Sequence, residues 1–227
     1  MTFHAQMASS LGQILLCADA THLNGLYFVG QKDSPPLAGL PKPTSRDSDP
    51  TEGMMGGIPL KGVRVRRREA AGGELFAPED LHQPAVASHD ANRALSLGPL
   101  VFMQDDTPAS ARRVLQLAHD ELAEYFQGER RQFTVPLALE GTAFQKKVWQ
   151  ALLAIPYGQI VSYADVAAAA GLGAGHGRPV GTAVGRNPIT IMVPCHRVLS
   201  SSGRLNGYTG GLERKYALLQ REGLLLG

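Results

Sequence analysis

The chain has 227 residues, 44% of them hydrophobic, which suffices for one large or two modest domains with packed cores. Two cysteines exclude a disulfide framework, and no apolar stretch approaches the roughly 20 residues of a membrane span. Residues 1–13 carry none of the Lys or Arg of a secretory leader, so a soluble cytoplasmic protein in a reducing compartment is expected. The net charge of +2 is uneven: residues 140–227 hold nine Lys and Arg against four Asp and Glu. That asymmetry fits a polyanion-binding face on a mildly acidic remainder, or ordinary fluctuation.

Near the N-terminus, Ile14-Leu15-Leu16-Cys17-Ala18 and Leu26-Tyr27-Phe28-Val29 flank a turn-rich stretch, Asp19 to Gly25, and predict a β-hairpin. Residues 31–97 carry Pro35-Pro36, Pro41, Pro43, Pro50 and Gly56-Gly57 with little periodicity, and read as a long insertion, flexible at least in part. Within it, Val63 to Arg68 reads as a basic edge strand, a phosphate-touching arm or a solvated charge run.

Order returns near Leu100. Thr107 suits an N-cap and Pro108 the first helical position, with Val114, Ala118, Leu122, Tyr125 and Phe126 on one face and Gly128 as the stop. Phe133, Val135, Leu137 and Leu139 alternate, which predicts a strand that Pro136 confines to a sheet edge. Strands plus a helix make residues 1–139 an α/β first domain.

Residues 140–227 read as mainly helical. Thr142 caps a helix with Phe144, Val148, Trp149, Leu152 and Leu153 on its apolar face. Ser162 with Asp165 forms a capping-box pattern for a helix ending at Gly171, and a short helix follows from about Pro179 to Gly185. Helix, turn, helix over this length suits a helix-turn-helix reader, although helical hairpins are common. Ile189 to Val193 then reads as a buried strand delivering Cys195-His196-Arg197. A histidine in reach can take a thiol proton, and cationic neighbours favour the thiolate; a structural cysteine at a strand end is the other reading. Asn206 to Gly211 is a glycine-rich loop in which Tyr208 offers a stacking face. The last helix, Leu212 to Arg221, ends at Glu222, a carboxylate opposed by the helix dipole unless a cationic or donating partner meets it.

Several of these segments together resemble the O6-alkylguanine–DNA alkyltransferases, the methylated-DNA–protein-cysteine methyltransferases. They are Gly141-Thr142-Ala143-Phe144-Gln145, Ile155-Pro156-Tyr157-Gly158, Val161-Ser162-Tyr163, Arg178-Pro179-Val180-Gly181, Asn187-Pro188, Val193 to Val198 and Gly207 to Leu212. The resemblance runs over about residues 97–223, and Leu11-Gly12 with Gly25 to Gln31 resembles the family's N-terminal domain.

The resemblance implies a ribonuclease H-like α/β N-terminal domain, a small antiparallel sheet plus helix, followed by a mainly α domain with a helix-turn-helix. It implies irreversible, single-use transfer of an alkyl group from guanine O6, and from O4-alkylthymine, in duplex DNA to Cys195, by a monomer without cofactor. The compartment would be the cytoplasm for a bacterial protein and the nucleus for a eukaryotic one. His196 would take the thiol proton through a water, Glu222 would orient His196, and Asn187 would pin the active-site turn. Tyr163 would rotate the 3′ phosphate and donate to guanine N3. Arg178 would be the finger that fills the space left by a flipped base. Gly181, Ala183 and Gly185 would let the second helix approach the minor groove. Val184, Tyr208 and Thr209 would line the pocket, Thr209 as a donor toward O6, with the carbonyls of Cys195 and Val198 accepting from the exocyclic amine.

This chain departs from the family in a longer, glycine-rich turn, Leu172 to Gly177, in Pro179, which is expected to move Arg178 toward the helix cap, and in the insertion. Some members hold zinc in the N-terminal domain; here Cys17, His22 and His4 fall short of four ligands, so no metal is expected. A non-catalytic protein that recognises alkylation damage would share the fold but replace the cysteine. A helix-turn-helix transcription regulator would account for the basic half but not for Cys195, His196 and Glu222. A cysteine hydrolase would account for those three but not for Arg178.

Overall fold

The computed structural model describes residues 1–37, 40, 95–173, 176–201, 203–205 and 207–224. Val63 to Arg68 and most of the 31–97 stretch lie outside them. Two compact units emerge: one takes in the described residues up to Glu140 together with Pro188–Thr190, the other the remainder from Gly141.

The first unit is built on an antiparallel sheet of four strands, β1 (Phe3–Met7), β2 (Ile14–Ala18), β3 (Leu23–Phe28) and β4 (Val101–Phe102), in the order β3-β2-β1-β4. The hairpin expected from the sequence is β2–β3, registered Ile14 to Phe28 through Cys17 to Gly25. A Cβ on Gly25 would lie 2.6 Å from the Tyr27 ring and 3.0 Å from Cys17 Cβ, so glycine lets the strands close there. Every residue of β2 is buried, as befits a central strand, and helix α1 (Ala109–Gln127) packs on the sheet. Its inward face carries Val114, Leu115, Ala118, Leu122, Tyr125 and Phe126, and Gly128 closes it in the left-handed region at φ 87°.

Two expectations for this unit need correction. Helix α1 begins one residue later than expected, with Pro108 at the cap position, because the Thr107 hydroxyl donates back to the Gln104 carbonyl instead of capping. No strand forms over residues 133–139. That segment makes a single parallel bridge, Leu23 to Leu137, with Leu23 N–H donating to the Pro136 carbonyl and Ala138 N–H to the Leu23 carbonyl. Pro136 has no N–H to extend the ladder, and the buried carboxylate of Glu121 takes the N–H groups of Thr134 and Val135.

The second unit holds helices α2 (Ala143–Leu153), α3 (Tyr163–Ala169), α4 (Gly177–Gly185) and α5 (Leu212–Arg221), and a parallel pair of short strands, β5 (Val161–Ser162) and β6 (Val198–Leu199). The expected capping box of Ser162 with Asp165 is present, and the expected cap at Thr142 proves to be a box as well, with Gln145. Thr142→Ala is expected to destabilise this unit by about 1 kcal/mol, read as a lowered midpoint of thermal unfolding. Trp149 is buried, and its indole Nε1–H donates to the Ala183 carbonyl at 2.9 Å, tying α2 to α4. A Cβ on Gly141 would lie 2.6 Å from that ring, so the residue before the cap must be small.

Helix α4 starts at Gly177, earlier than expected, so Arg178 is helical and not displaced toward the cap. Pro179 sits in the first turn, where its missing N–H has no helical acceptor to lose. The expected strand before the cysteine is absent. Ile191 adopts a positive φ of 73°, Thr190 to Met192 form a turn, and Cys195 opens a 3-10 turn, Cys195–Arg197. A β-branched residue is strained in that region, so a reading that assumed extended backbone could not anticipate it.

Candidate active site

Cys195, His196, Glu222 and Asn187 come together within the second unit. The Asn187 side-chain amide donates to the Val193 carbonyl at 2.8 Å and to Cys195 Sγ at 3.1 Å, closing the loop between α4 and the 3-10 turn around the sulfur. Cys195 is 7% exposed. Burial pushes its thiol pKa up, while the Asn187 hydrogen bond and the nearby charge of Lys215 pull the other way.

His196 is wholly buried, with Nε2 2.8 Å from Glu222 Oε1. The carboxylate sets the ring proton on Nε2, and Nδ1, buried and without a partner among the described residues, is left with its lone pair. Burial pulls His196 down, further helped by Arg197 and Lys215 and opposed by Glu222, so the resting imidazole is neutral.

Glu222 is the best-held group of the site. Arg197 Nε donates to Oε2 and Nη2 to Oε1, each at 2.9 Å, and Gly158 N–H donates to Oε2 at 3.1 Å. Burial raises its pKa, but the hydrogen bond from His196 and the charge and hydrogen bonds of Arg197 outweigh that and hold it at about 2. Arg197 also donates through Nη1 to the Ile155 carbonyl at 2.6 Å. The partner that a carboxylate at a helix C-terminus requires is therefore a buried fork of donors. Read from sequence, Arg197 is a cationic neighbour favouring the thiolate; the structure instead turns its guanidinium onto Glu222, a role that the order Cys-His-Arg in a 3-10 turn does not by itself reveal.

Tyr163 opens α3, and burial, with the Cys195 sulfur adding, pushes its phenol up to about 12. The Tyr208 hydroxyl is buried without a partner among the described residues, and burial keeps it protonated. Val184 is buried on α4. Two pocket expectations are amended. The Thr209 hydroxyl donates to the Gly185 carbonyl, so its proton is engaged within the protein. The carbonyls of Cys195 and Val198 already accept from Val198 N–H and Lys215 Nζ.

Along α4, Arg178, Thr182 and Arg186 are exposed at a spacing of four, making one outward stripe. Thr182 and Arg186 were missed, though that spacing was there to be read. Ala183 requires correction: it is 2% exposed and faces α2. At 100° per residue it lies about 200° round the helix from Gly181, so the two cannot share a docking face. A Cβ on Gly181 would touch only the Tyr163 ring at 3.8 Å, an ordinary contact, so internal packing does not demand glycine there. Among the described residues, no three His, Cys, Asp or Glu side chains are grouped to hold a metal, and no helix is long and apolar enough to cross a membrane.

This geometry has counterparts among known proteins. The sequence profile described as "6-O-methylguanine DNA methyltransferase, DNA binding domain" matches residues 143–224. A methylated-DNA–protein-cysteine methyltransferase of Mycobacterium tuberculosis is 54% identical over 105 residues, 46% of this chain and 63% of that protein. One from Salmonella typhimurium is 52% identical over 108 residues, again 63% of its length. These matches thus span less than two thirds of the curated relatives' own length. The crystal structure of M. tuberculosis O6-methylguanine methyltransferase superposes with a TM-score of 0.58 at 28% identity, over 100% of this chain and 96% of that one. That of M. tuberculosis OGT in complex with DNA gives 0.59 at 30% identity, over 96% and 91%. By profile, sequence and fold alike, this chain belongs to the O6-methylguanine–DNA methyltransferase family.

Proposed function

We propose that the chain repairs alkylated DNA by direct reversal, transferring the alkyl group of O6-alkylguanine in duplex DNA to Cys195 Sγ and being consumed in the act. The observation that carries this reading is the one-way chain of contacts behind the sulfur. Asn187 donates to Cys195, and the adjacent His196 has a bare Nδ1 on one side and an Arg197-anchored carboxylate on the other.

Each group then has a step. A proton leaves the Cys195 thiol for His196 Nδ1, relayed by water, and Glu222 offsets the charge of the imidazolium. The thiolate attacks the alkyl carbon in line, an S–C bond forms, the C–O6 bond breaks, and its electron pair stays with the guanine. The Tyr163 phenol, protonated at neutral pH, donates to N3 and so stabilises that developing charge. The base reaches the sulfur by leaving the stack while Arg178 fills its place from the minor groove, with Thr182 and Arg186 on the same outward stripe. Val184, Val198, Tyr208 and Thr209 enclose the base. The partner is damaged double-stranded DNA, the acting unit a monomer, and the compartment the cytoplasm.

Intact mass after mixing with a duplex holding one O6-methylguanine tests the reading: one methylene-equivalent gain, mapped to Cys195 and saturating at one per chain. Tight lesion binding with no gain would instead indicate a damage-recognition protein. Arg178→Ala is expected to slow transfer from duplex DNA about tenfold or more, since unstacking a base takes a few kcal/mol, while leaving the reaction with free O6-benzylguanine unchanged. Equal losses on both substrates would remove Arg178 from the role of finger.

A further inference from the structure

One ionisable group of the second unit has no part in the steps above. Lys215, on α5, is 0% exposed, and its Nζ donates to the Val198 carbonyl at 2.7 Å. Complete burial of an ammonium is unfavourable, and packing alone would be served by leucine or methionine. The Val198 carbonyl lies three residues beyond the sulfur, and α5 packs against the Cys195–Arg197 turn. Among the described residues, the carboxylate beside this turn, Glu222, accepts from His196, Arg197 and Gly158. The other groups facing the sulfur are neutral: His196 on the turn itself, Tyr163 on α3 and Tyr208 in the loop before α5, where Arg214 is also nearby.

We propose that Lys215 is an electrostatic supporting residue, whose buried ammonium, anchored on the Val198 carbonyl, stabilises the anionic form of the Cys195 sulfur. The inference rests on the reading of Cys195 as the alkyl acceptor. Its reciprocity is visible in the two groups: burial lowers Lys215 to about 8 while the Cys195 sulfur pulls it back up, and Lys215 in turn lowers Cys195. At neutral pH the ammonium is charged and opposes the desolvation of the thiolate.

The test is the pH profile of Cys195 alkylation by iodoacetamide, followed by peptide mass mapping without DNA. Cys17, whose thiol burial pushes up to about 12, serves as an internal reference. Lys215→Gln keeps a donor for the Val198 carbonyl but no charge, Lys215→Met keeps neither, and Lys215→Arg keeps the charge. Both uncharged variants are expected to move the midpoint up by about one unit. At neutral pH the tenfold loss of thiolate is partly offset by its greater nucleophilicity, leaving a rate about threefold lower. Lys215→Arg should have its midpoint at or below that of the wild type.

An unchanged midpoint in Lys215→Gln overturns the proposal, whether Lys215→Met is slow, which would make Lys215 a hydrogen-bond donor without effect on the charge of the sulfur, or not. If neither uncharged variant folds, a midpoint in Lys215→Arg one unit above wild type overturns it. Because the probe needs no DNA, a shifted midpoint in a protein that takes no methyl from O6-methylguanine would sustain the role of Lys215 and defeat the proposed function alone.

Discussion

Replacing Glu222 with glutamine is expected to cost stability and alkyl transfer together, although the exchange is nearly isosteric. The carboxylate accepts from Arg197, His196 and Gly158 at once. An amide offers one acceptor atom in place of two and turns an NH2 group toward donors. Arg197 would be left as a buried cation without its counter-charge, a loss of about 3–5 kcal/mol when one partner of such a pair is removed. Urea unfolding at neutral pH measures it, and single-turnover kinetics on duplex DNA should show transfer falling by about 100-fold or more as His196 loses its orienting anion.

The same carboxylate sets an acid-sensitive part of stability. Its folded-state pKa of about 2 lies below the ordinary value of 4.5, so the unfolded chain binds the proton more readily. The contribution is fully present above the unfolded value and is lost as pH falls from there toward the folded one. The difference corresponds to something on the order of 3 kcal/mol. Glu222→Gln should lose this component, so its unfolding midpoint should fall less steeply with acid than that of the wild type. Parallel acid dependences in the two proteins would mean that the fork of donors does not hold the carboxylate as described.

Cys195→Ala is expected to abolish transfer and spare recognition. No other described sulfur stands in for it, since Cys17 belongs to the sheet of the other unit and is buried with its thiol pushed up to about 12. The Asn187 amide keeps its hydrogen bond to the Val193 carbonyl in the variant, so the loop retains that tie. Intact mass should show no methylene gain after prolonged exposure to O6-methylguanine duplex, while a mobility shift with the same duplex persists. A gain in the variant would move the acceptor elsewhere in the chain and end the proposed mechanism.

Much of this was legible in the residues because local chemistry decided it. Thr142 announces its helix as an N-cap hydroxyl and Ser162 by a hydroxyl three residues before a carboxylate, and both caps form. Leu212 to Arg221 is helical over the span expected. What stayed hidden depends on contacts distant in sequence. Strand β1 is a different case: Phe3, Ala5 and Met7 alternate with His4 and Gln6 and are the buried ones, so its signal was present in five residues and went unread. The segment over 133–139 alternates like a strand, yet the Glu121 carboxylate claims its amides. The positive φ of Ile191 and the burial of Lys215 and Arg197 arise from closure of the loop around Cys195, which no propensity encodes.

The hydrogen bond between Trp149 and Ala183 also makes the molecule its own spectrometer. The chain contains a single tryptophan, so all indole emission originates from one buried ring. That ring's N–H is bonded to the backbone of the helix whose outer stripe carries Arg178 and Arg186. Movement of the helix relative to α2 changes the polarity at the indole nitrogen, so wavelength and intensity report on α4 without a label.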